Sequence, residues 1–279
     1  MATYTPPGLG WHRDLPDPRD FTPRHDAVVR LLHDLSPPEG WPEQIDLREY
    51  CAAVGQQQPW ATSSVHACLA MVRYFERRAT GRTFEPSRMF VYKTARRLLG
   101  WSGDTGLPLR VTLKAIARYG LPAERLWPYH ERSLDSEPDA FVYASARPTC
   151  GGCYVRLDSR GERPENTLET VKRFLAAGFA CVFGFTVCTS ITPDGEVAFP
   201  TIFDGVCGGQ AVLAVGYDDH YRIRSDRGAL LIANSWGEDW GDQGFGWLPY
   251  TYVREQLAAD FWTVLTPEWA KSGELRRPV

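Results

Sequence analysis

The period of the apolar pattern changes at Gly178, and this change limits the chain to an α+β fold. N-terminal to it, apolar residues recur at helical spacing. Val65, Cys68, Leu69 and Val72 stand at i, i+3, i+4 and i+7, which predicts a helix beginning near Thr62 or Ser63. Further helices are predicted from about Pro86 through Leu98, over Val111, Leu113, Ile116 and Ala117 up to Gly120, and from Asn166 to Ala177. After Gly178 come short, β-branched runs bounded by Gly, Asp and Pro: Cys181 to Val187, Ala211 to Tyr217, Ala229 to Ala233, Phe245 to Trp247 and Asp260 to Leu265. These are read as strands. Gly184 inside one of them predicts a close backbone approach.

Three regions follow from this division. Residues 1–44 form an arm without periodicity, its stretch Gly10 to Asp20 rich in turn formers, and it is expected to wrap the outside of the fold. Residues 45–145 are read as a helical domain, and 146–279 as a mainly β domain whose C-terminal segment crosses back. With 279 residues and 43% apolar content, the chain can bury one core of this size.

Composition excludes several classes of function. A net charge of −3 argues against an extended nucleic-acid surface, and no stretch of about 18 apolar residues predicts a membrane span. The first 21 residues lack an apolar signal core, so a cytoplasmic location is expected. Seven cysteines leave one unpaired, and reduced thiols are the default reading. Cys150 and Cys153 form a Cys-x-x-Cys pair without a second pair or His ligands at suitable spacing, so it is read as a turn; no metal and no cofactor are expected. Gly208 and Gly209 are read as a tight turn before a strand, not as a phosphate loop.

The loop from Val54 to Thr62 delivers Ser63 to the start of the predicted helix. A hydroxyl placed there is either an ordinary N-cap or a nucleophile at the positive end of a helix dipole. Two later segments bear on the choice. Gly209-Gln210-Ala211 opens one strand, and Asn234-Ser235-Trp236-Gly237 is followed by Trp240-Gly241. Taken in order, the three segments resemble the papain-like cysteine peptidases, most closely the bacterial subgroup without a long propeptide. The similarity extends to Gly10 to Phe21, Asp46-Leu47-Arg48, Pro86-Ser87-Arg88, Trp127-Pro128-Tyr129, Pro249-Tyr250 and Asp260-Phe261-Trp262.

The resemblance implies a two-domain fold in which a helical domain packs against an antiparallel β-barrel-like domain across a cleft. It places substrate between Trp60, Ala61 and Thr62, the loop Asp104, Thr105, Gly106 and Leu107, and the facing residues Asp204, Gly209 and Trp236. It implies that Gln57 is the oxyanion donor and Asn234 the residue that orients the base. Ser63 stands where the family has its nucleophilic Cys, and Gln210 stands where it has its His. A hydroxyl needs a general base that an amide cannot supply, so peptidase chemistry is not expected. His66, one turn along the helix, is the remaining candidate base.

Two functions remain open at this point. One is a cofactor-free biosynthetic enzyme that uses the cleft for cyclisation, dehydration, addition or isomerisation of a polyketide- or peptide-derived small molecule. Ser63, Gln57 and Gln210 would then stabilise an oxyanion, while Asp104, His66 or Asp204 moves protons. The other is a catalytically dead homologue binding a peptide or protein partner, with a serine-type peptidase as a third. The sequence leans to the enzyme, because it carries no added interaction domain. Oligomeric state is not legible.

Overall fold

The structure is a computed structural model that describes residues 4, 6, 8–26, 28–29, 40–147, 153–159 and 161–265. Two short strands precede the first helix: β1 (Trp11–His12) and β2 (Gln44–Asp46). The helical half holds α1 (Ser63–Thr80), α2 (Arg88–Leu99), the short strand β3 (Leu107–Pro108), α3 (Leu109–Tyr119) and α4 (Ala140–Ala144). The β half holds β4 (Cys153–Arg156), α5 (Pro164–Ala176), β5 (Cys181–Cys188), β6 (Val206–Ile223), β7 (Asp226–Ala233), β8 (Phe245–Pro249), α6 (Thr251–Arg254) and β9 (Ala258–Leu265).

The helices end where local chemistry ends them. Ser87 caps α2 by accepting from the Phe90 N–H at 3.1 Å. Gly81 closes α1 in a left-handed conformation with Arg77 and Arg78 in the last turn, where their charge complements the helix dipole. Pro86, expected in the first turn of α2, precedes its cap instead.

The sheet runs in the order β4-β9-β5-β6-β7-β8, with β2 added to β6, and every one of these pairings is antiparallel. It is open rather than a closed barrel among the described residues. Val65, Cys68 and Leu69 of α1 are buried, and the helix packs against β6 and α3. α1 is therefore the wall shared by the two halves. None of the described helices is long and apolar enough to cross a membrane.

Two expectations need correction. Gly208 and Gly209 are not a turn before the strand but lie inside β6, which begins at Val206. The arm does not stay on the outside. Gly10 is buried, and β1 pairs in parallel with β3, placing Trp11 opposite Leu107. The Cys-x-x-Cys pair falls partly outside the described residues, since Cys150 is not among them.

Candidate active-site cleft

The side chains of Gln57, Gln210 and Asn234, from distant parts of the chain, are joined by hydrogen bonds where α1 packs against β6. Ser63 starts α1, Gln57 precedes it, Gln210 lies on β6, and Asn234 follows β7. Ser63, Gln57 and Gln210 are fully buried, and Asn234 nearly so. The Gln210 amide nitrogen donates to Gln57 Oε1 and to Asn234 Oδ1, both at 2.8 Å. Ser235 Oγ also donates to Gln57 Oε1, at 2.6 Å. Among the described residues three buried polar atoms here have no partner: Ser63 Oγ at the start of α1, and Gln210 Oε1 and Asn234 Nδ2 in the hydrogen-bonded set. Among the described residues no imidazole hydrogen-bonds to the Ser63 hydroxyl.

The Gln57 amide nitrogen is engaged by the arm. It donates to the carbonyls of Gly8 at 3.0 Å and Trp60 at 3.4 Å. The Trp236 indole N–H donates to the same Gly8 carbonyl at 3.3 Å. Two residues on, the arm bridges both walls: the Gly10 N–H donates to Gly209 O at 2.9 Å, and the Leu107 N–H donates to Gly10 O at 2.8 Å. An extended chain thus lies across the cleft as a strand would, held by main-chain bonds on both sides.

Other expected site residues are placed differently. The Asp104 carboxylate accepts from the Ala61 N–H at 3.0 Å and from Tyr92 OH at 2.7 Å, so it clamps the Ser63 loop to α2 instead of standing free to move protons. Thr105 accepts His12 Nε2 at its carbonyl, and the Gly106 N–H donates to Tyr92 OH. Thr62 starts α1 without capping it; its hydroxyl meets Tyr129 OH at 2.6 Å, and Trp60 packs edge-on to the same tyrosine. Asp204 accepts from the backbone N–H and the hydroxyl of Thr201, which hold its carboxyl below the usual range and close its own loop.

His66 does not serve Ser63. Its Nδ1–H donates to the Thr62 carbonyl at 3.2 Å, and its Nε2 has no partner. It lines a cavity of about 50 Å³ with Gly55 and Arg88, and Asn234 and Ser235 form part of the same lining. Burial, with the nearby Arg88 charge, pushes its pKa down to about 3, so the ring is a neutral and very weak base. Cys68, as expected, is buried in the core, and burial raises its thiol pKa well above the ordinary value.

Residues that sequence reasoning missed sit on the arm and on β9. The Trp11 indole lies against Gly184 and Gly209, where added side chains would overlap it, and its N–H donates to Asp260 Oδ2 at 3.2 Å. The glycine in β5 was the legible signal. Among the described residues no group of metal-ligating side chains is present.

An α-helix and an antiparallel sheet facing each other across such a cleft define the class of the fold, and the match to the papain family of cysteine proteases over residues 42–256 assigns the family. The chain belongs to it. A peptidase C1-like protein of Acanthamoeba polyphaga mimivirus, itself uncharacterized, is 34% identical over 190 residues, covering 65% of this chain and 59% of that protein. Xylellain, a cysteine protease from Xylella fastidiosa, superposes with a TM-score of 0.76 at 28% identity, covering 95% of this chain and 99% of its own. A digestive procathepsin L 3 of Tenebrio molitor shares the fold at a TM-score of 0.62 and 16% identity, over 92% and 76% of the two chains.

Proposed function

We propose that this chain is a non-proteolytic papain-family protein whose cleft receives an extended peptide. The observation that carries the reading is the arm itself, bonded through Gly10 to Gly209 on one wall and Leu107 on the other. A cleft that holds its own backbone in this way has the geometry to hold another. The loss of hydrolysis is argued from the Gln210 amide. It stands at the position of the base, cannot accept a proton from Ser63, and is fixed by Gln57 and Asn234.

A peptide-display selection against the full chain carrying Trp11→Ala tests the reading. Enrichment of extended peptides that are recovered intact supports it. Enrichment no better than for an unrelated protein contradicts it.

One observation favours a second reading. Ser63 Oγ, Gln210 Oε1 and Asn234 Nδ2 are buried without partners, and buried polar atoms normally find one. A small ligand that supplies both donors and acceptors would satisfy them. Cofactor-free cyclisation, dehydration, addition or isomerisation of a polyketide- or peptide-derived molecule is the chemistry such neutral groups support. Comparative metabolite profiling of a deletion strain tests it, and an unchanged profile contradicts it.

A further inference from the structure

Trp11 occupies a pocket in the β half of the cleft that is built for its indole. Its floor is bare backbone. A Cβ at Gly209 would come within 2.7 Å of Trp11 Cε3, and one at Gly184 would overlap the ring outright. Gly184 pairs with Ala259 across β5 and β9, so the neighbouring strand adds only a methyl group. At the end of the pocket stands Asp260, fully buried and held at a φ of +59° that a non-glycine residue rarely adopts.

The Asp260 carboxylate is divided between two tasks. Oδ1 accepts Arg156 Nη2 at 2.8 Å, which holds the group in place. Oδ2 faces the arm, accepting the Trp11 indole N–H at 3.2 Å and the Asp14 backbone N–H at 2.7 Å. The pocket therefore asks for a flat aromatic ring that carries an N–H at its far edge. The spacing to Gly10 asks for a residue without a side chain just before it: a Cβ at Gly10 would collide with the Ala61 carbonyl.

We infer that this pocket is a recognition site for tryptophan in trans, and that the cleft selects extended segments of a partner protein carrying Gly-Trp, for which the arm is the resident competitor. The inference rests on the reading of the cleft as a peptide receptor. Phe would fill the ring space but leave the buried Asp260 oxygen short of a donor, and removing one partner of a buried charged group is the expensive kind of loss.

The test uses a fluorescein-labelled peptide with the sequence of residues 6–16 and the full-length chain, read by anisotropy. The Trp11→Ala chain should bind it at least about tenfold more tightly than the wild type, whose own arm competes. A peptide with Trp replaced by Ala should bind at least about tenfold more weakly, and one with Phe should fall between them. Gly184→Ala, added to Trp11→Ala, should abolish binding while the thermal melt confirms folding. Equal binding of the Trp and Ala peptides, or no binding to a folded Trp11→Ala chain, would overturn the proposal. A wild-type dimer abolished by Trp11→Ala would assign the pocket to a second copy's arm and overturn it as well. Mass spectrometry of the same samples separates the two readings: selective binding with cleavage refutes the non-proteolytic reading and leaves the pocket standing, whereas intact peptide without selectivity does the reverse.

Discussion

Gln210 and Gln57, 153 residues apart, are joined by an amide-to-amide hydrogen bond of 2.8 Å that ties β6 to the loop before α1. The resemblance gives these two positions to a base and an oxyanion donor, and in this chain the two amides are closed on each other. Gln210→Leu should destabilise the fold by about 1–2 kcal/mol, because Asn234 and Gln57 keep Ser235 as a partner while losing the amide. Urea unfolding at neutral pH measures it.

Trp11 should hold the stretch of the arm around Gly10, while Asp14 and Asp20 anchor the chain beyond it to Trp262, Arg110 and Arg156. Trp11→Ala removes the ring from Gly184 and Gly209 and the bond to Asp260, leaving the Gly10 main-chain bonds unsupported. Hydrogen exchange at the Gly10 and Leu107 amides should accelerate by at least about tenfold, while amides in β6 and β7 stay unchanged. Uniform acceleration would indicate global destabilisation instead.

Asp104 should behave as a clamp. Asp104→Ala orphans the Ala61 N–H and removes the acceptor of the Tyr92 hydroxyl, which keeps only the Gly106 N–H, and should cost about 1–2 kcal/mol of stability. Peptide binding should weaken without any change in its pH profile. A shifted profile would restore Asp104 to a proton-transfer role.

Two buried groups should tilt stability with pH in opposite directions. His66 has its pKa pushed down to about 3 from 6.5, so between these values the unfolded chain takes up a proton that the native state refuses. Its contribution is intact above pH 6.5 and is lost as pH falls; the stability difference between wild type and His66→Phe should therefore rise with pH across that window. Burial first, then the facing charges of Asp14 and Asp158, raises the Asp260 carboxyl above 3.8, so in the window just above that value the native state holds part of a proton that the unfolded chain has released. The difference between wild type and Asp260→Asn should therefore fall as pH rises through that window. Each slope is bounded by roughly 1.4 kcal/mol per pH unit for one proton. Chemical unfolding of the three proteins between pH 4 and 8 checks both signs.

Much of this architecture was legible in local pattern. The apolar spacing from Val65 to Val72 located the start of α1 within a residue, and the motifs that carry Gln57, Gln210 and Asn234 hold side chains that are hydrogen-bonded to one another. β6 ran longer than expected because its polar ends, Val206 to Gln210 and Asp218 to Ile223, carry no continuous apolar run. The path of the arm was not legible. Its contacts lie far away in sequence, as between Trp11 and Asp260, and at Gly10 it pairs by main-chain bonds that leave no periodic signature. His66 was misjudged because helical position predicts the face of a side chain but not the Thr62 carbonyl that captures its ring.

The central claim is that the cleft holds peptides without cutting them. Peptide hydrolysis by the full-length Trp11→Ala chain, followed by mass spectrometry over a mixed peptide library, tests it most directly, with the same chain carrying Ser63→Ala as control. The account predicts intact peptides from both proteins. Cleavage by the first that disappears in the second would make Ser63 a working nucleophile and contradict the account.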